Sequence, residues 1–139
     1  MRISFAHICD YASVSREGKL SINGIFSNIA SQAFPSAHPL LYVVFEVDLS
    51  AAELNQELTT KVKLQGADGA EIFAASMRFK VGGMARPGER PKIPQVLPIA
   101  GLVLPAPGMY QFSIWINGSH KVDVPFSATT IDDKGTSVA

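Results

Sequence analysis

Apolar and polar residues alternate at every second position along most of this 139-residue chain. Apolar residues take the odd positions of residues 41–49 and 73–81 and the even positions of residues 110–116. Such alternation is typical of β-strands with one buried face, because successive side chains point to opposite sides of a strand. The sequence therefore predicts a protein built from sheets rather than from helices.

Turn residues divide the alternating segments into eight predicted strands. The strands lie near residues 2–12, 19–30, 40–49, 58–65, 70–81, 95–104, 109–117 and 120–128. Asn117-Gly118 and residues 66–69 are typical hairpin turns, and Ser50 is placed to begin a single helical turn. The alternation continues through Asn23-Gly24, so Gly24 is predicted to mark a bulge or a close backbone approach inside one strand.

Short strands at regular spacing, with no long helix and no repeats, predict an all-β fold. We expect an immunoglobulin-like two-sheet antiparallel sandwich of about eight strands. Tyr110 follows Gly108 at the start of a strand, which is typical of the tyrosine corner of such sandwiches, with core filling as the alternative. We expect one domain over residues 1–128 and a polar C-terminal tail over residues 129–139, with a solvated pair at Asp132-Asp133.

The charge balance narrows the possible partners. Twelve Lys and Arg residues balance twelve Asp and Glu residues, and charged residues make up 17% of the chain against 47% hydrophobic residues. This composition is typical of a globular domain rather than a disordered chain. Because nucleic-acid and anionic-membrane binders carry an excess of basic residues, we expect neither nucleic acid nor membrane as a partner.

The N-terminal segment and the cysteine content indicate a compartment. Residues 1–10 lack the apolar run of a signal peptide, and no segment approaches the length of about 18 apolar residues that a membrane span needs. Cys9 is the single cysteine, so it cannot form a disulfide within the chain. We therefore expect a cytoplasmic protein.

Candidate catalytic residues are few. His7 and Cys9 lie two residues apart on a predicted strand and share a face, which suits a Cys–His nucleophile pair or half of a zinc site. The preferred alternative is a buried cysteine beside a hydrogen-bonded histidine, because free cysteine is among the most buried residue types. The chain has no G-x-x-x-x-G-K-[ST] loop, G-x-S-x-G elbow or H-E-x-x-H motif. We expect no enzymatic activity, no metal and no cofactor.

Residues 82–94 form a long predicted loop. It contains Arg86, Arg90 and Lys92 against a single acidic residue, on a backbone stiffened by three prolines. Loops of this length are uncommon in compact domains unless they are functional or disordered. The segment is interpreted either as a contact arm for an acidic partner surface or as a solvated crossover between the two sheets.

Several apolar side chains are predicted to point away from the core. The alternation turns five of them outward, namely Met109, Trp115, Tyr42, Val44 and Ile72. Tryptophan is enriched at interface hot spots, and a net charge of zero does not favour an isolated monomer. These residues predict a surface for self-association or for a partner, unless loops or residues 129–139 cover them.

The predicted function follows from this surface. We expect a non-enzymatic protein-interaction or structural assembly module that forms a homo-oligomer or binds a protein partner through an apolar sheet face. The alternative is a small-ligand or carbohydrate-binding sandwich in which Tyr42 or Trp115 is the stacking platform. A tryptophan or tyrosine ring suits either purpose, because both side chains combine a large apolar face with a polar group.

Six short motifs together resemble a known family. In chain order they are Cys9-Asp10, Gly18-Lys19-Leu20, Gly24-Ile25-Phe26, Phe34-Pro35, Asp68-Gly69 and Gly108-x-Tyr110-x-Phe112. Their order and spacing are similar to those of an uncharacterised family of small bacterial β-sandwich proteins, a domain of unknown function, over about residues 5–127. The resemblance implies an immunoglobulin-like sandwich in an intracellular bacterial protein, and it implies no catalytic residues.

Overall fold

The computed structural model describes residues 1–131 and 137–138, which form strands, turns and one short 3-10 helix. In chain order the elements are β1 (Arg2–Val14), β2 (Leu20–Ile25), β3 (Asn28–Ser31), β4 (Ser36–Asp48), the 3-10 helix (Ala51–Glu53), β5 (Glu57–Gly66), β6 (Glu71–Lys80), β7 (Lys92–Leu104), β8 (Gly108–Ile116), β9 (Ser119–Ile131) and β10 (Ser137–Val138). No helix among these residues has the length and hydropathy to cross a bilayer.

The strands form two sheets, which confirms the all-β prediction. One sheet has four strands in the order β2-β1-β4-β7. The other has six strands, in the order β10-β9-β8-β5-β6 with β3 also paired to β9, and it is curled like half of a barrel. Consecutive strands in the chain often lie in different sheets, so the connections cross between the two layers.

The predicted strand over residues 19–30 is two strands in different sheets. β2 pairs antiparallel with β1, whereas β3 pairs parallel with β9, so that Ile29 lies opposite Ala128. The chain changes sheets at Phe26 and Ser27, where the Phe26 N–H still bonds the Ile8 carbonyl and the Ser27 carbonyl accepts from strand β9. The prediction of one continuous strand is therefore wrong, and so is the fully antiparallel pairing.

The turn predictions are confirmed by the backbone. Gly24 lies inside β2 with a φ of 71°, and a Cβ at this position would lie 2.5 Å from Oδ2 of Asp10. Gly24 therefore marks a close approach that a side chain would obstruct. Asn117 and Gly118 both have positive φ, at 49° and 80°, as the type I′ turn between β8 and β9 requires.

The core lies between the inward faces of the two sheets. Its largest fully buried side chains include Phe45 from the four-stranded sheet and Phe112 and Phe126 from the six-stranded sheet. The Phe112 and Phe126 rings lie 5.6 Å apart. The Tyr110 hydroxyl donates to the carbonyl of Ala106 and accepts from its N–H, as the tyrosine corner predicts.

Strand β9 extends beyond residue 128, where the domain is predicted to end. β9 continues to Ile131, three residues beyond residue 128, and β10 pairs with its last residues. The Asp132-Asp133 pair and most of the predicted tail over residues 129–139 lie outside the described residues.

Candidate functional site

The four-stranded sheet has a second apolar cluster on the side that faces away from the core. Along β4, Leu41, Val43 and Phe45 belong to the core, and the residues between them belong to a separate cluster. We call this the outer cluster, and its members are Cys9, Ala12, Leu20, Ile22, Tyr42, Val44 and Val96. Outward faces of antiparallel sheets are commonly polar, so this face is unusual.

Exposed apolar side chains also lie on the four-stranded sheet. Seven large hydrophobic residues are exposed in the described chain, and five of them belong to this sheet, namely Tyr11, Val14, Ile25, Leu40 and Val103. Tyr11 is 49% exposed and its ring lies 5.3 Å from that of Tyr42. We call the outer cluster together with Tyr11 and Leu40 the tyrosine face. Contiguous exposed apolar patches of this kind mark interaction sites.

Cys9 lies within the outer cluster as a buried thiol. Its Sγ lies 3.5 Å from the carbonyl oxygen of Tyr11 and 3.8 Å from that of Tyr42, either of which can accept its single hydrogen. Burial raises the pKa of the thiol, whereas a nucleophilic cysteine needs a lowered pKa. The His7 ring stacks on Phe5 with its centre 5.9 Å away. Among the described residues no group of three or more His, Cys, Asp or Glu is placed to hold a metal ion.

The outward face of the six-stranded sheet has a different chemistry. Trp115 pairs in register with Lys61 on β5, and Nζ of Lys63 lies 5.5 Å from the centre of the indole ring. A pocket of about 320 Å³ lies beside the indole, and it is lined by Thr59, Lys61, Lys63, Ser76, Trp115 and Gly118. We call these six residues the tryptophan pocket. Its side chains are cationic and polar around one aromatic ring.

Hydrogen-bonded side chains of β8 and β9 contact the indole. The buried Ser113 hydroxyl donates to Oδ1 of Asp123 at 2.7 Å, and Nε2 of His120 lies 2.7 Å from the same oxygen. Burial alone would raise the pKa of Asp123, but the hydrogen bonds from Ser113 and His120 outweigh it and lower that pKa. The His120 ring meets the indole of Trp115 edge to face, with centres 5.4 Å apart. The histidine that packs against the indole is therefore itself held by Asp123.

Two of the three cations predicted as a contact arm are bound within the chain. Nε of Arg90 lies 2.9 Å from the buried carboxylate of Asp48, and Nζ of Lys92 lies 3.9 Å from Glu46. Arg86 is exposed. The C-terminal end of the 82–94 segment is therefore held to β4 by two ion pairs within the chain.

The structure predicts an acid sensitivity at Asp48. Its pKa is lowered chiefly by the hydrogen bond from Arg2, at 2.7 Å, and further by Arg90. A carboxylate with a lowered pKa stabilises the fold above its unfolded value of about 4, and this contribution is lost as the pH falls through the folded value. We measure the melting temperature between neutral and strongly acidic pH. As the pH falls, the melting temperature of Asp48→Asn should decrease less steeply than that of the wild type. Equal slopes would contradict the assignment.

The residues predicted as one partner surface lie on two sheets. Tyr42 and Val44 belong to the tyrosine face, although Val44 is 0% exposed. Trp115 and Met109 lie on β8 in the other sheet, and Ile72 packs against the core. The structure therefore does not bring these five side chains into one patch.

The sequence prediction missed several residues of both faces, among them two apolar residues and two lysines. It did not include Tyr11 and Leu40, although the apolar residues on both sides of the 2–12 segment were a signal that one apolar side must face outward. It also did not include Lys61 and Lys63. These lysines reach Trp115 only through the pairing of β5 with β8, which alternation within each strand does not reveal.

Comparisons with known proteins give a family and a fold. A family model described as a family of unknown function, DUF6941, matches residues 4–129. No curated protein matches the chain significantly. Among solved structures, Pseudomonas fluorescens alkylpurine DNA glycosylase AlkC bound to DNA containing an abasic site analog matches with a TM-score of 0.52 and 14% identity. The match covers 91% of this chain and 30% of the glycosylase, so the chain spans less than a third of that enzyme's length.

This match corrects two expectations from the sequence. The exclusion of enzymes does not hold, because a similar fold is found within a DNA glycosylase. The exclusion of nucleic acid as a partner does not hold either, because that structure is bound to DNA. At 14% identity the likeness is one of fold, and both exclusions inferred from charge and missing motifs are withdrawn.

Proposed function

The chain belongs to DUF6941, a family of unknown function, and we propose that it is an assembly domain that pairs with a second copy through the tyrosine face. The observation that carries the proposal is the outward apolar cluster of the four-stranded sheet. It gives the domain a second apolar cluster, separate from the core between the sheets, with Tyr11 and Leu40 exposed beside it.

The tyrosine face has the properties of a preformed interface. Cys9 and Val44 are fully buried by their neighbours, so they support the face from below and do not themselves contact a partner. Tyr11 and Leu40 at its surface remain 49% and 42% exposed. Two sheets pack face to face at about 10 Å through such side chains, and tyrosine is enriched at interfaces.

Two properties favour a second copy as the occupant. The formal net charge of +0 means that two copies do not repel each other. A two-fold axis through the tyrosine face would bring the same apolar patch of each chain together, so that Tyr11 and Tyr42 of one copy pack on those of the other. Self-complementary two-fold pairing is the commonest form of oligomer.

Sedimentation equilibrium tests the pairing. We expect the wild-type chain to have twice its 14.9 kDa mass at high micromolar concentration and Tyr11→Lys to remain a monomer. Met84→Lys is the matched control, because Met84 is 98% exposed on a loop outside the tyrosine face and should not change the mass. A monomeric wild type, or equal effects of the two lysine substitutions, would reject the proposal.

We also infer the type of sandwich, the cellular location and the origin of the protein. An immunoglobulin-like form of the sandwich is supported by the two sheets and by the tyrosine corner at Tyr110. A cytoplasmic location is supported by the single cysteine, which stays a free thiol. A bacterial origin is supported by the short motifs described above.

The likeness to the DNA-bound glycosylase favours a second candidate function, in which the domain contacts nucleic acid. The tyrosine face is unsuited to this, because phosphate contacts need cationic side chains. The outward face of the six-stranded sheet supplies them at Lys61 and Lys63. Anisotropy of a labelled single-stranded oligonucleotide at low salt is the test, and an unchanged anisotropy would reject this candidate.

A further inference from the structure

We propose that the tryptophan pocket binds a nucleotide, with its phosphate between Lys61 and Lys63 and its base against the indole of Trp115. The proposal rests on the nucleic-acid candidate and deepens it by naming the site and the chemical class of the ligand. It is independent of the tyrosine face, which lies on the other sheet.

The cations provide the phosphate contacts. Lys61 is exposed, and no carboxylate among residues 1–131 lies within ion-pair distance of it. Lys63 lies 3.4 Å from Glu71 and is held beside the indole. Arg78 and Lys80 occupy outward positions of the adjacent strand β6, where Arg78 lies 3.8 Å from Glu57 and Lys80 lies opposite the same glutamate. Lys61 thus lies beside the single tryptophan of the chain without a carboxylate partner among residues 1–131, and a phosphate would supply that partner.

The indole is positioned in advance of binding. The hydrogen bonds from Ser113 and His120 to Asp123 place the histidine ring edge-on to Trp115. Lys63 approaches the same ring. A ring fixed by its neighbours loses little freedom when a base packs on it, and base–aromatic stacking is the sequence-tolerant contact of single-strand binding proteins.

The lining favours a nucleotide over a carbohydrate. The pocket offers two ammonium groups, which only donate hydrogen bonds, and the hydroxyls of Thr59 and Ser76. Its lining includes neither the carboxylates nor the amides that would accept hydrogen bonds from sugar hydroxyls. An anion attached to a planar ring satisfies both the lysines and the indole, and a nucleotide is such a ligand.

Tryptophan fluorescence reports on the site directly, because Trp115 is the single tryptophan of the chain. We expect a short oligothymidylate to quench this fluorescence. Lys61→Ala should weaken binding roughly tenfold and lower the slope of log affinity against log salt by about 0.7. Lys19→Ala is the matched control, since Lys19 is an exposed lysine beside β2 in the other sheet and should change neither quantity.

A second pair of variants separates stacking from structure. Binding of a labelled oligothymidylate, followed by anisotropy, should weaken roughly tenfold to a hundredfold in Trp115→Ala. Trp115→Phe keeps an aromatic face and should retain most of the affinity. Circular dichroism and thermal melts establish that both variants are folded.

Titration with thymidine monophosphate identifies the source of the nucleotide. Tighter binding of the oligothymidylate supports the proposal with a single strand as the ligand, and equal affinities support it with a free nucleotide. Absence of quenching by either probe at millimolar concentration overturns it. If the labelled oligothymidylate binds but leaves both the Trp115 fluorescence and the Lys61→Ala affinity unchanged, this site is wrong and the nucleic-acid candidate stands.

Discussion

Replacing Phe112 by alanine is expected to lower the free energy of unfolding by about 3–5 kcal/mol. Phe112 is fully buried between the sheets, and its ring stacks on Phe126. The substitution removes apolar area from the centre of the core and leaves a cavity that two paired sheets cannot close. Urea denaturation followed by circular dichroism measures the change.

The control for Phe112 is a smaller change at the same position. Phe112→Leu keeps most of the buried volume, so its cost should be well below that of Phe112→Ala. Equal costs for the two variants would mean that loss of the ring stack, rather than the cavity, determines the stability. A cost of less than about 1 kcal/mol for Phe112→Ala would contradict the position of this residue in the core.

Placing a carboxylate at Val44 is expected to lower the free energy of unfolding nearly as much as Phe112→Ala, although Val44 does not face the core. Val44 lies in the outer cluster and is 0% exposed, so Val44→Asp would bury a charge without a partner. An uncompensated buried charge costs about 3–5 kcal/mol. Urea denaturation of Val44→Asp therefore measures whether the outer cluster behaves as a second buried layer.

Leu40 provides the matched control on the same strand and the same face. Leu40 is 42% exposed, so Leu40→Asp should change the free energy of unfolding by less than about 0.5 kcal/mol. The same substitution should weaken self-association, since Leu40 belongs to the tyrosine face. If Val44→Asp is as mild as Leu40→Asp, the outer cluster is open to water and the account of this face is wrong.

Strand positions and buried faces are readable from the sequence because alternation is a local property. The inward positions of β8, which include Tyr110 and Phe112, follow from period two alone, and the structure places them in the core. Met77 and Phe79 on β6 also follow from period two, and the structure packs them, partly buried, against the core. The turn at Asn117-Gly118 is also local, since it depends on two residues that accept positive φ.

Pairing between distant strands is not readable in this way. The change of sheet at Phe26 leaves the alternation nearly intact, because two strands in different sheets show the same period as one long strand. The orientation of β1 is ambiguous for a related reason, since Ile8 and Cys9 are both apolar and both buried, one in each cluster. The tyrosine face and the tryptophan pocket both depend on such pairings. The sequence therefore identifies single residues of each, but not which residues lie together.

Hydroxyl-radical footprinting at increasing protein concentration tests the central claim, that the tyrosine face is the surface through which two copies pair. The account predicts that Tyr11 and Leu40 become protected as the concentration rises, while Met84 and Met109, which are exposed elsewhere, keep their reactivity. Protection confined to Met109 and Trp115 on the other sheet, or no protection at any residue up to millimolar concentration, would contradict it.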